Sequence, residues 1–280
     1  MQYALLIVYF LIACILLSRL KIVKSTGLPL KLVLALFSLK TIAGLLYGYI
    51  YSRQPGYEQF SDTWQVYFDS LPEYRQLMHD PVYFFTHWFA NPDHLSYTNF
   101  FGSTDSYWND LKDKMLHKMQ AVMNVFTFGY YYVNVVVYEF ITFPGSLLLY
   151  NLLKRIFPES KKWHVIPVFL LPSFVFWTGG MYKDGFVFLF MMVVVWQFFQ
   201  LLNKNDRKGT RILYLALAFA GIFLLRNYIA LLLLPSLLCW GLNMRWPRHA
   251  AWTFVIIYLI GSVAILFGSQ LHAGLDFPSF

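Results

Sequence analysis

Apolar residues fill eight stretches of the chain, at about 2 to 18, 32 to 51, 126 to 153, 165 to 181, 186 to 202, 212 to 225, 229 to 244 and 250 to 268, and polar residues collect between them. Runs this solid, and this close to the ~20 residues that cross a hydrocarbon core as helix, predict an all-α, polytopic transmembrane protein of about eight spans. Barrel strands would alternate apolar and polar positions over ~10 residues, and these runs do not. The first run has its cations behind it, at Arg19 and Lys21, and no A-x-A-like cleavage site follows. It is expected to be a retained span that enters from outside.

The polar intervals predict the orientation. Arg19, Lys21, Lys24 and Lys31, then Lys154, Arg155, Lys161 and Lys162, then Lys204, Arg207, Lys208 and Arg211, then Arg245 and Arg248 occupy alternate intervals. These are 14 of the 22 Lys and Arg, against 7 in the other intervals and Lys40 inside the second run. By the positive-inside rule the richer side is cytoplasmic and both termini lie outside. Fusing the sixth and seventh runs into one helix would invert everything after residue 226, which Arg245 and Arg248 argue against.

One interval is long. Within a single membrane domain over 1–280, residues 52–118 form a loop subdomain with nine of the fourteen carboxylates and a net charge of minus four. Its many aromatics predict a folded segment, since disordered segments are poor in them. Ser61 is expected to cap a helix over DTWQVYFDSL, ended by Pro72, on which Asp62, Gln65, Val66 and Asp69 share a face. PVYFFTHWFA suits the interface plane. Asp105 or Ser106 would cap a third helix with an apolar stripe of Trp108, Leu111, Met115, Met119 and Val122, running into the third span.

Composition narrows the classes. The chain is 58% hydrophobic and 13% charged, about half the charge of soluble domains, so a soluble domain is excluded. The formal charge of +8 sits in short interhelical loops, so no nucleic-acid partner is expected. Cys14 and Cys239 both lie inside apolar runs, and His79, His87 and His94 lack helical ligand spacing. No P-loop, dinucleotide fingerprint or nucleophile elbow occurs. No cofactor and no metal are expected.

Five positions could carry chemistry. Asp62, about eleven residues past the second span, could act as a general base beside a lipid-borne substrate, or be a helix-start charge; Asp69 is the second choice. Lys183, in the tight FWTGGMYKDG hairpin, could hold a phosphate, or form with Asp184 an interfacial pair that ends two helices. Arg226 follows an apolar run of 14 residues. Unless that span extends back through Gly209 and Thr210, Arg226, Asn227 and Tyr228 form a turn sunk in the membrane, where an arginine is functional by default; otherwise Arg226 snorkels. Lys40 needs a countercharge, and Glu139 is the candidate, as a structural ion pair.

A polar first outer loop with an early Asp and interfacial helices, followed by many spans, resembles the GT-C superfamily of membrane glycosyltransferases. PSFVFWTGGMYKDG and LLRNYIALLLLP are similar to segments of bacterial inner-membrane proteins of exopolysaccharide assembly, including the exopolysaccharide polymerase family. The likeness covers most of residues 30 to 245. It implies a polyprenyl-phosphate-linked sugar as substrate, the bacterial inner membrane as location, Asp62 as catalytic base, and Lys183 and Arg226, with Tyr228 beside it, as ligands of the lipid phosphate. The chain lacks a paired-Asp metal motif, and its stop at LDFPSF just after a span suggests an incomplete C-terminus. The other class kept open is a non-enzymatic one, a lipid-linked oligosaccharide transporter or a membrane subunit of an envelope complex.

Overall fold

The structure, a computed structural model, describes residues 1–90, 107–160, 163–203, 207–246 and 250–271. Among these every regular element is helical, and six helices are long and apolar enough to cross a membrane by length and composition. The chain divides into two compact units, Met1–Phe89 with Met115–Trp196, and Ala90–Lys114 with Gln197–Phe280.

The first unit is built round α8 (Tyr131–Ile156), whose 26 residues make a helix ~39 Å long. Val133, Val136, Phe143 and Leu147 on it are wholly buried. α1 (Gln2–Arg19) and α3 (Leu30–Tyr51) pack on this surface, and Phe37 meets Phe143 edge-on at 5.4 Å. α1 runs parallel to α8. Tyr9 of α1 donates to the Phe126 carbonyl just before α8, and at the far end Asn151 of α8 bonds Ser25 in α2 (Lys21–Thr26). α3 returns in the opposite sense.

The fourth apolar run is not one continuous helix. It breaks into α9 (Val165–Phe169) and α10 (Pro172–Gly179), because Pro172 has no N–H to continue the ladder and pushes Leu171 to extended backbone. α11 (Lys183–Asn203) follows after three residues. α10 packs against α3 so closely that a Cβ at Gly44 would lie 2.7 Å from the Gly179 carbonyl.

Two short elements and two long helices lie beyond the end of the unit where α3 finishes and α8 begins. They are α4 (Tyr57–Phe60), α5 (Asp62–His79), α6 (Pro81–Thr86) and α7 (Tyr107–Thr127). Ser61 occupies the N-cap position of α5 without making a side-chain cap bond. Pro72 does not end α5. The helix continues to His79, because the stripe of Thr63, Val66, Ser70 and Leu77 keeps burying on the underlying helices on both sides of the proline. Asp80 caps α6 by accepting from the Tyr83 N–H at 2.9 Å. Asp105 and Ser106 lie outside the described residues, as does the side chain of Trp108. Leu111 is buried, as the stripe on α7 requires.

α7 does not run straight into the third span. Phe128 and Gly129 take left-handed backbone, φ 57° and 71°, and α8 starts only at Tyr131. Buried polar side chains lock this elbow. Asn134 donates to Asn124 at 2.6 Å, Asn124 donates to Ser70 at 3.0 Å, and Thr127 donates to Asn134. Tyr67 donates to the Gly129 carbonyl at 2.6 Å, and burial pushes its phenol pKa up.

In the second unit α12 (Lys208–Leu225), α13 (Asn227–Arg245) and α14 (Ala250–Leu271) run alternately up and down. Arg211, near the start of α12, donates to the Gln200 carbonyl at 2.8 Å. Trp240, near the end of α13, packs at 5.6 Å on Phe198 and 6.1 Å on Phe199. α13 therefore returns to the level from which α12 departs, and the fused-helix alternative is excluded. Cys239 pairs with the Thr253 carbonyl and Tyr258 with that of Leu232, so α14 is antiparallel to α13.

Candidate functional site

The polar residues of the first unit meet around the turn between α10 and α11. Lys40 stands ten residues past Leu30 and eleven before Tyr51, roughly 15 Å from either end of α3. Its ammonium is buried, pairs with the fully buried Glu139 of α8, and donates to the Thr178 carbonyl of α10 at 3.1 Å. The structure thus joins the two lone opposite charges of the apolar runs. The pair also holds the C-terminal end of the broken helix. The second carboxylate oxygen of Glu139 and the hydroxyl of Thr142 three residues on are buried beside one another. An ionisable pair this deep within long apolar helices is a functional candidate as well as a structural brace.

The turn itself sits deep. Tyr138, seven residues into α8 and so ~10 Å from its start, accepts from the Gly185 N–H at 2.9 Å and donates to the Tyr182 carbonyl at 2.8 Å. Gly180 lies against the Tyr47 ring. Lys183 and Asp184 therefore follow a turn packed one to two helical turns inside the ends of α3 and α8. Lys183 is half-buried over the Tyr182 ring at 4.7 Å, a cation–π contact that holds the ammonium in the recess.

α5 roofs the recess. Trp64 donates to the Gly48 carbonyl at 2.9 Å and stacks on Tyr131, ring centroids 3.7 Å apart, while Thr63 bonds the Tyr131 hydroxyl at 2.7 Å. Directly beneath the roof, Val66 of α5, Met119 and Met123 of α7, Tyr138, Met181 and Phe186 close around a gap of only about 10 Å³, so side chains fill the space there. Asp62 opens α5 with an exposed carboxylate. Asp62 and Asp184 both lie within electrostatic reach of the Tyr47 hydroxyl, which also bonds Tyr51.

Asp69 faces elsewhere. Seven residues along α5, ~10 Å from Asp62, it stands 3.7 Å from His117 of α7. Val66, expected on the face of both carboxylates, is buried while they are exposed. Asp62 and Asp69 thus keep separate company, and Asp62 alone stands with the recess. Tyr47, which sequence spacing did not single out, joins it, as does Asp184, expected only as an interfacial partner of Lys183. Only the depth of the KDG turn against α3 brings them in.

In the second unit, Arg226 is the single residue between α12 and α13, with φ −148° and ψ 85°. It donates to the Tyr228 hydroxyl, and the Asn227 carboxamide accepts from the Tyr228 N–H at 3.0 Å. α12 does extend back through Gly209 and Thr210, to Lys208. Its 18 residues cover ~27 Å, so the argument for a sunken Arg226 turn from a short span does not hold. Among the described residues no three His, Cys, Asp or Glu side chains group as metal ligands. His94 and Asp93 lie outside them.

Comparison with protein-family models, with curated proteins and with solved structures finds no match to this chain.

Proposed function

We propose that the chain is a multi-pass protein of the bacterial inner membrane, crossing eight times with both termini periplasmic, that transfers a glycosyl unit from or onto a polyprenyl (pyro)phosphate during surface-polysaccharide assembly. The observation that carries this reading is the recess. A carboxylate at its rim, Asp62, lies within electrostatic reach of the Tyr47 hydroxyl together with Asp184 of the charged turn, and Lys183 is held in that turn on Tyr182. That pairing suits an acceptor in water and a phosphate at the membrane interface. Asp62 takes the proton of the acceptor hydroxyl as its oxygen bonds the anomeric carbon. The bond from that carbon to the phosphate oxygen breaks with its electron pair, and Lys183 meets the charge left on the lipid phosphate. Arg226, which donates to the Tyr228 hydroxyl in the second unit, is proposed as a phosphate ligand in its own right.

The test is transfer from a labelled polyprenyl-phosphate-linked sugar by the purified full chain in lipid nanodiscs. Asp62→Asn should lower the rate by ~10² to 10⁴, with Asp69→Asn near wild type. Lys183→Gln and Arg226→Lys should weaken carrier binding. Wild-type rates for Asp62→Asn overturn the reading.

A second reading, a transporter of lipid-linked oligosaccharide, is favoured by the Lys40–Glu139 pair at the middle of α3 beside a broken helix, the arrangement in which transporters place their sites. Under it, replacing both charges stops flux across proteoliposomes and leaves Asp62 dispensable.

A further inference from the structure

The opposite end of the first unit holds a second cavity. The first 57 residues contain Arg19, Lys21, Lys24, Lys31, Lys40 and Arg53 and no carboxylate. Four of these cations fall in the stretch from the end of α1 through α2 to the start of α3. Packing brings the last turns of α8 to the same place. Lys154 donates to the carbonyls of Ser25 at 3.0 Å and Thr26 at 2.7 Å, and Arg155 follows it over the Trp196 ring.

Between these elements lies a pocket of about 410 Å³. Lys154, Tyr150 and Thr26 form its polar part, and Leu28, Leu32 and Val165 its apolar walls. Gly27 turns the chain over it with φ 72°, and an added Cβ there would approach the Lys154 ammonium to 3.8 Å. Lys24 and Lys31 stand exposed on the bordering helices. Leu32 is partly exposed and leads from the pocket onto the outward face of α3.

We infer that this pocket binds the headgroup of an anionic phospholipid. The phosphodiester carries the single negative charge that Lys154, Lys24 and Lys31 jointly attract, and the glycerol with its first methylenes covers Leu28, Leu32 and Val165. Diffuse attraction of basic loops to an acidic leaflet needs no cavity. Here a bounded one, apolar on one side and cationic on the other, selects a charged amphiphile over free phosphate. The site stands apart from the recess under α5 and does not depend on glycosyl transfer.

The experiment is native mass spectrometry of the full chain released from detergent, with phosphatidylglycerol, phosphatidylcholine or soluble glycerol phosphate as probe. Wild type should retain phosphatidylglycerol well above the other two. Leu32→Trp fills the pocket and keeps every charge, and it should abolish the preference. Lys24→Gln with Lys31→Gln leaves the Lys154 bonds intact and should weaken retention about fivefold for each cation removed. Equal retention of both phospholipids, equal binding of glycerol phosphate, or an undiminished preference in Leu32→Trp would each overturn the inference.

Discussion

The buried pair of Lys40 and Glu139 offers the sharpest mutational test. Lys40→Met leaves a carboxylate with no exposed surface, stripped of its ammonium. Breaking such a pair by removing one member costs about 3 to 5 kcal/mol. It also frees the Thr178 carbonyl, adding roughly 1 kcal/mol for a lost bond to a buried acceptor. Glu139→Leu strands the ammonium in the same way. Replacing both, Lys40→Met with Glu139→Leu, removes the charges together and should lie within about 1 kcal/mol of wild type or above it, since apolar replacement of a whole buried pair is often neutral or stabilising. The assay is reversible unfolding in mixed micelles of wild type, both single variants and the double variant, which closes a double-mutant cycle with a coupling of several kcal/mol. Single variants that each lose under about 1 kcal/mol, or a double variant as unstable as the sum of the two, would refute the reasoning.

Trp64→Phe removes the bond to the Gly48 carbonyl but keeps an aromatic face on Tyr131, and should cost about 1 to 2 kcal/mol and raise proteolysis ahead of α5, read by melting and limited digestion. Gly44→Leu would drive a side chain into the Gly179 carbonyl and the Glu139 carboxylate, and should cost about 3 kcal/mol or prevent folding, whereas Gly209→Ala, with open space around it, should leave the melting point unchanged. Single cysteines at the exposed positions Gln54, Ser160 and Arg207, in a chain lacking Cys14 and Cys239, should react with an impermeant maleimide from the periplasm at Gln54 alone.

Solitary charges were the most legible part of this sequence. Lys40 and Glu139 each stand in a long apolar run, and two such charges have few affordable partners other than one another. Long uninterrupted runs were equally legible, so α1, α3, α11, α12 and α13 fall within a few residues of their expected places. Proline was harder. At Pro72 the apolar stripe outweighed the lost N–H bond and the helix went on. At Pro172 the preceding Leu170 and Leu171 had no such buried stripe to hold them, and the span broke. The elbow at Phe128 and Gly129 was hidden because α7 and α8 are both helical in pattern, and only buried asparagines distinguish the join. Depth was invisible. FWTGGMYKDG reads as an outer hairpin, and its true level depends on Thr178 meeting Lys40 and Gly179 meeting Gly44. That level is what recruits Tyr47 and Asp184 to Asp62 and leaves Asp69 with His117.

The elbow between α7 and α8 also sets how the protein opens. Ser70, Asn124 and Asn134 belong to three different helices and satisfy one another in a buried network, so none can leave without stranding amides in apolar surroundings. α5, α7 and the first turns of α8 should then exchange their amide protons through one shared opening, with a common free energy, although two of them lie outside the core bundle. A fragment cut at residues 52 and 127 would lack Asn134 and lose that cooperativity. For the recess the roof is accordingly a fixed lintel rather than a lid. Under the proposed transfer, a carrier lipid bound for Lys183 would have to enter from the side, while α5 stays in place.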